Sequence, residues 1–155
     1  MVWYNRGKHI IFDRTEATMG ELPLDLLTDI IRVCLMKTTY SVDIDAHEQF
    51  DDIAASEIVC TSYSARGDGV ELTTKVITRQ DDPDRTIFDA DNHTFTSIGG
   101  AVNDTFDQVA IVREQDAGAT DANTELLAHL LTPEQTTTGG SITLVWNAAG
   151  VLQAT

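Results

Sequence analysis

Side chains able to do acid–base, metal or nucleophilic chemistry are plentiful in this chain, and their spacing decides among those chemistries. Carboxylates cluster at Asp43/Asp45, Asp51/Asp52, Asp81/Asp82/Asp84 and Asp89/Asp91. A carboxylate-rich loop can bind Ca²⁺, and Asp89-Ala90-Asp91-Asn92 begins like one. It lacks the glycine and the distal bidentate Glu that complete such a loop, so the clusters read as solvated turn carboxylates. The histidines His9, His47, His93 and His129 have neither another His nor a Cys at ligand spacing, which argues against a Zn site. Cys34 and Cys60 each sit in an apolar, β-like run. Burial there raises a thiol pKa. Both therefore read as inert buried thiols, with a disulfide between neighbouring strands as the alternative. Gly-x-Ser-x-Gly does not occur, and Gly67-Asp68-Gly69 lacks the helix and lysine of a phosphate loop. We expect no enzyme activity, and hence no catalytic, cofactor-binding or metal-binding residues.

The charge excludes more. The chain has 155 residues with Lys+Arg 10 and Asp+Glu 25, a net charge of -15. A nucleic-acid role is disfavoured, because phosphates would be repelled. Lysine is confined to Lys8, Lys37 and Lys75, and Asp outnumbers Glu. This is the composition of a protein from a salt-loving setting, where molar salt screens carboxylate repulsion. No apolar stretch approaches the roughly 20 residues needed to span a bilayer, and the N-terminus lacks the apolar core of a signal peptide. Folding in a cytoplasm is expected. At 42% hydrophobic residues, one domain can build a core without metals. Arg66-Gly67-Asp68 spells an adhesion tripeptide, for which a turn is a sufficient explanation.

The elements that must position these residues are mostly strands. Residues 4–19 are compatible with one short helix ended by Gly20. Asp29–Met36 reads as a buried strand, Thr39–Asp45 as a loop, and His47–Ile53 as a helical turn or short strand. Glu57–Thr61 and Gly69–Thr78 look β-like, and 80–84 looks like a turn. Arg85–Asp89 and His93–Ile98 form a candidate hairpin. Phe106–Arg113 is a strand with Phe106, Gln108, Ala110 and Val112 on one face, and Asp116–Asn123 is turn-rich. Glu125–Leu131 is strand or helix. In Ser141–Asn147, Ile142, Leu144 and Trp146 alternate, which predicts a core strand that closes the sheet and buries Trp146. The expected architecture is mainly β: an antiparallel sandwich or barrel-like domain over 21–155, with a short N-terminal helix or arm over 1–20.

The C-terminal run from Gly139-Gly140-Ser141 through Trp146-Asn147-Ala148-Ala149-Gly150 resembles the end of a family of small virion structural proteins of tailed viruses, of the head decoration or cement type. Tyr4-Asn5-Arg6-Gly7-Lys8 before Asp29–Leu35 is similar to the family's opening. So are Thr39-Tyr40 with Asp45-Ala46-His47, and Phe88-Asp89-Ala90-Asp91 before an aromatic strand. Ser62-Tyr63-Ser64-Ala65-Arg66-Gly67 departs from the family's glycine-rich turn, having lost two glycines. The resemblance implies a mostly β protein on the capsid exterior of a virus of a halophilic host, assembled in the host cytoplasm. It would reinforce contacts between subunits of the major capsid protein, as a dimer or trimer, without touching nucleic acid or membrane. A tail or neck protein of the same virion is the alternative. A host- or glycan-binding module is a separate class, which an exposed Trp3–Tyr4 pair would favour. Trp3, Tyr4, Arg6, Lys8, Ile10 and Phe12 form the most basic and aromatic stretch, and such residues anchor interfaces. They are the expected contact with the capsid, unless they pack on the protein's own sheet.

Overall fold

The computed structural model describes residues 1–12, 24–64, 66, 71–82, 84–114, 120–147 and 150–154. The main sheet is four-stranded and antiparallel. It is built from β1 (Val2–Trp3), β2 (Ile30–Lys37), β6 (Thr105–Glu114) and β7 (Thr124–Thr136), in the order β1-β7-β6-β2. A strand covered on both faces reads as a near-continuous apolar run. β2 and β6 read this way because both faces of this sheet are covered.

Alternation along the strands divides the core in two. Ile31, Val33, Leu35, Val109, Ile111 and Leu127 project to one side, among Phe88, Phe95, Leu144 and Leu152 of two smaller sheets. Those sheets are β3 (Val76–Asp81), β4 (Asp84–Asp89) and β9 (Leu152–Ala154), in the order β3-β4-β9, and the pair β5 (His93–Phe95) and β8 (Ile142–Leu144). Cys34, Met36, Ala110, Val112 and Leu126 project to the other side, where Tyr4, Tyr40, Phe50 and Ile53 cover them. The fold is therefore mainly β and antiparallel, with layers packed on a central sheet, and no barrel closes.

The N-terminal segment is a helix joined to the sheet: α1 (Asn5–Phe12) follows β1 directly. The Tyr4 N–H donates to the Leu127 carbonyl at 3.1 Å. Gly7 faces the same backbone, where a Cβ would lie 2.8 Å from the Leu127 Cα and closer still to its carbonyl oxygen. The expected remainder of the helix, to Gly20, lies outside the described residues, as do Gly67-Asp68 and residues 115–119.

Several expected elements pair differently. Arg85–Asp89 and His93–Ile98 are not a hairpin. β4 pairs with β3, with Asp81 opposite Asp84, and, on its other side, with β9, whereas β5 pairs with β8. Glu57 makes only a single bridge, to Met36, and Glu71 only one, to Arg32. Thr74 has φ +52°, which stops the expected 69–78 strand before Val76. Ser141–Asn147 does not close the main sheet, because its strand is short and reaches only β5.

Phe106 also changes face. The β6–β7 ladder shifts between Phe106↔Gln135 and Gln108↔Leu131. A bulge re-aims the side chains beyond it, and Phe106 packs with Val109 and Ile111 rather than beside Gln108.

Candidate functional site

A groove of about 530 Å³ lies between the end of the main sheet and the C-terminal segment. Phe106, Val109 and Leu130 line it from the main sheet, and Ile142, Leu144 and Trp146 from the other side. A smaller hollow of about 260 Å³ shares Leu130, Leu131, Asn147 and Gly150 with it and extends to Met1. Leu131 is 77% exposed and Val145 70% exposed at the rim.

Glycines set the course of the segment that forms the outer wall. Gly99 and Gly139 both have φ +90°. Ile98 N–H donates to the Gly140 carbonyl at 3.0 Å, and Gly139 N–H to the Ile98 carbonyl at 2.8 Å. This clasp directs residues 141–147 along β5 and away from β7. Trp146 is half-buried, not buried as expected. Its Nε1–H donates to the Asp91 carbonyl at 3.0 Å, and its backbone N–H to Asn92 Oδ1 at 3.1 Å, so the indole stands at the groove wall.

Two strand edges border the groove. β1 pairs with β7 only at Val2↔His129 and Trp3↔Ala128. From Leu130 onward, β7 has β6 on one side and no strand on the other among the described residues. β8 likewise has β5 as its single strand neighbour. Among the described residues, the main groove's lining contains no carboxylate, imidazole, thiol or amine. It offers apolar contact, hydroxyl and amide groups, and backbone, and no acid, base or activated nucleophile.

Of the N-terminal residues expected to contact a partner, Tyr4, Arg6 and in part Trp3 are engaged within the fold. Tyr4 is fully buried, with its hydroxyl 2.6 Å from that of Tyr40, and burial raises the pKa of both phenols. It has no face left for a partner, because β1 carries it under the 40–53 segment. Arg6 pairs with Glu125 at 2.9 Å. Trp3 is half-buried against the core, and its Nε1–H donates to the Gln153 carbonyl at 3.2 Å. Lys8 is exposed and reaches Asn5 Oδ1 at 3.1 Å. Ile10 and Phe12 lie on α1, and their side chains are outside the described set. The buried Tyr4 also removes the exposed aromatic pair on which the glycan-binding reading depended.

Asp43 and Asp52, of the carboxylate clusters, serve turns. Asp43 Oδ1 accepts from the Asp45 and Ala46 N–H groups at 3.1 Å. Asp52 accepts from Glu48 and Gln49 N–H groups, which hold its carboxyl below the usual range. Among the described residues, no three or more His, Cys, Asp or Glu side chains are grouped to hold a metal ion. Cys34 and Cys60 are buried thiols rather than halves of a disulfide, and burial pushes Cys34 well up. His129 is buried, its Nε2 2.7 Å from Gln108 Oε1, and burial lowers its pKa.

Sequence reasoning missed a buried ion network at one end of the main sheet. Arg113, with no exposed surface, bonds Glu125 and Asp29 at 2.8 Å each. Glu114 receives Arg32 at 2.9 Å and Arg66 at 3.2 Å, and Arg66 also reaches Asp121 at 2.7 Å. The available signal was an arginine inside or abutting an apolar run, at Arg32 and Arg113. A charge there must be paired.

Comparison with protein-family models, curated proteins and solved structures returns no match. Among the described residues, no helix is long and apolar enough to cross a membrane.

Proposed function

We propose that this chain is a non-enzymatic virion structural protein that binds the exterior of a tailed-virus capsid and ties neighbouring major capsid protein subunits together. The observation that carries this reading is the groove. It is lined by apolar, hydroxyl and amide groups, and exposed Leu131 and Val145 form its rim. Exposed apolar side chains at the edge of a concavity suit a protein-binding site. The C-terminal and 38–47 motifs supply the viral assignment, and the -15 charge suits a densely displayed protein, since like charge keeps decorated shells apart. The groove is proposed as a contact beside the N-terminal stretch, of which Lys8 is exposed and Trp3 half-buried.

The test mixes the purified chain with shells that lack it, in molar KCl, and sediments the mixture. Co-sedimentation, weakened by Leu131→Asp and Val145→Asp, is the expected result. Both positions are exposed, so the variants should fold. An antibody that labels only tails on intact virions would overturn the capsid assignment in favour of the tail or neck reading.

A further inference from the structure

We propose that His47 is an acid-sensitive latch. In its neutral form Nδ1 accepts the hydrogen bonds that hold Tyr40, and with it the 38–43 turn, over the face of the main sheet that carries Cys34; protonation at Nδ1 releases them. The inference goes beyond the capsid reading and does not rest on it.

The tautomer follows from the donors. The Asp43 N–H donates to His47 Nδ1 at 3.2 Å. An N–H can only donate, so Nδ1 carries no proton and the ring is protonated at Nε2. The Tyr40 hydroxyl lies 3.1 Å from the same Nδ1 and is therefore a donor to it, sharing its lone pair with Asp43. The Tyr4 hydroxyl is 2.6 Å from that of Tyr40. A hydroxyl has one proton, so Tyr4 donates to Tyr40 and Tyr40 to His47, which ends the chain. Both phenols are buried, so losing that acceptor would leave a buried hydroxyl unsatisfied, a costly state.

Tyr40 is where the turn is gripped. Its ring stacks on His47 with centroids 5.8 Å apart and meets His129 edge-on at 5.9 Å. Its carbonyl accepts from Gln108 Nε2 at 2.9 Å, and Gln108 Oε1 is 2.7 Å from His129 Nε2. Tyr40 packs in one cluster with Cys34, Met36 and Val112. Beyond the turn, Asn5 of α1 holds the Ile44 carbonyl and the Asp45 carboxylate, and Leu126 N–H donates to the Glu48 carbonyl at 3.0 Å. These ties confine the movement to residues 38–43.

The surrounding charges set its direction. Asp43 and Asp52 act electrostatically on Tyr40, and Asp52 on His47. An imidazolium would be drawn to these carboxylates, and its new Nδ1–H would find acceptors there instead of at Tyr40. Asp45 and Lys8 are each bonded to Asn5, Glu48 and Asp51 are exposed, and His129 faces Tyr40. The closed form has no proton on Nδ1 and the open form binds one, so a falling pH favours the open form.

The experiment measures labelling of Cys34 in the full chain by 4,4′-dithiodipyridine, which reacts with thiols in mild acid, relative to a free cysteine peptide at the same pH, with the labelled site located by mass spectrometry. Between about pH 7.5 and about pH 5.5, Cys34 should label about tenfold faster, while Cys60, in the core on the opposite face, should not change. His47→Asn offers an amide oxygen near the place of Nδ1 and does not titrate, so Cys34 should stay slow at both pH values. His47→Lys carries a charge and no acceptor, so Cys34 should be fast at both. Equal acceleration in the parent and in His47→Asn, or none in the parent, would remove the latch. Acceleration lost in His129→Gln but kept in His47→Asn would make His129 the trigger, and equal acceleration of Cys34 and Cys60 would replace the latch by global unfolding. Independently of any variant, side-chain ¹⁵N spectra of the parent should show Nδ1 of His47 unprotonated at about pH 7.5. A protonated Nδ1 there would overturn the assignment.

Discussion

Arg113 has no exposed surface, and its guanidinium bridges Asp29 and Glu125 at 2.8 Å each. Removing one member of such a buried set leaves the other charges uncompensated, which typically costs about 3–5 kcal/mol. Arg113→Ala should therefore lower the free energy of unfolding by that amount. The double change Arg113→Met with Glu125→Leu should cost less than the sum of the single changes, because apolar groups of similar volume can replace a buried pair. A double-mutant cycle in matched KCl checks this. His129 carries a second residue-scale prediction. Burial lowers its pKa below the ordinary 6.5, so between the folded and unfolded values the unfolded chain binds the proton and the folded chain does not. Stability is then fully present above about pH 6.5 and declines as the pH falls through that window. His129→Gln should flatten the slope of denaturation midpoint against pH over this range. An unchanged slope would remove His129 as its source.

At the scale of elements, the shift in the β6–β7 ladder and the course of the C-terminal segment set what each aromatic contributes. Phe106 is fully buried on the face shared with Val109 and Ile111, so Phe106→Ala should cost about 3–5 kcal/mol. Trp146 is half-buried and packs only partly against the core, so Trp146→Ala should cost clearly less despite the larger ring. Thermal melts of the two variants side by side decide the order. Helix α1 makes an opposed pair of effects separable. Gly7→Ala would gain about 1 kcal/mol of helix propensity, but the added Cβ would lie 2.8 Å from the Leu127 Cα. Overpacking against fixed backbone costs about 1–3 kcal/mol. The net change should be destabilising, and a variant more stable than the parent would show that α1 can move off β7.

For the whole molecule, the net charge of -15 is concentrated outward, because four of the arginines are paired in or beside the core. Carboxylate repulsion extends over about 30 Å at about 0.01 M salt and about 3 Å at about 1 M. The largely buried ion pairs are screened much less. Relief of repulsion should dominate, and stability should rise with KCl. At this chain length each kcal/mol moves Tm by about 2–4 °C, so a climb of roughly ten degrees from low to molar KCl is expected. A flat profile would count against adaptation to salt.

What the sequence determined by itself is what depends on local pattern. Apolar runs placed β2 and β6 to about a residue at each end, while Glu125–Leu131 was open between strand and helix and is β7, which continues to Thr136. Alternation with turn signals indicated a mainly β, antiparallel fold, and the apolar setting of Cys34 and Cys60 indicated buried thiols. The groove was half legible: Ile142, Leu144 and Trp146 were identified as one face, but they line a cleft instead of completing the sheet. Only the tertiary structure decided which strands pair, because pairing depends on contacts distant in sequence, such as β9 on β4 and β1 on β7. It also decided the face of Phe106, since one ladder irregularity reverses side-chain direction and leaves no mark in composition. The fate of the N-terminal aromatics and Arg6 was undetermined for a related reason. A residue suited to anchor a partner is equally suited to anchor its own sheet, and Tyr40 and Glu125, which claim Tyr4 and Arg6, become neighbours only when the chain has folded.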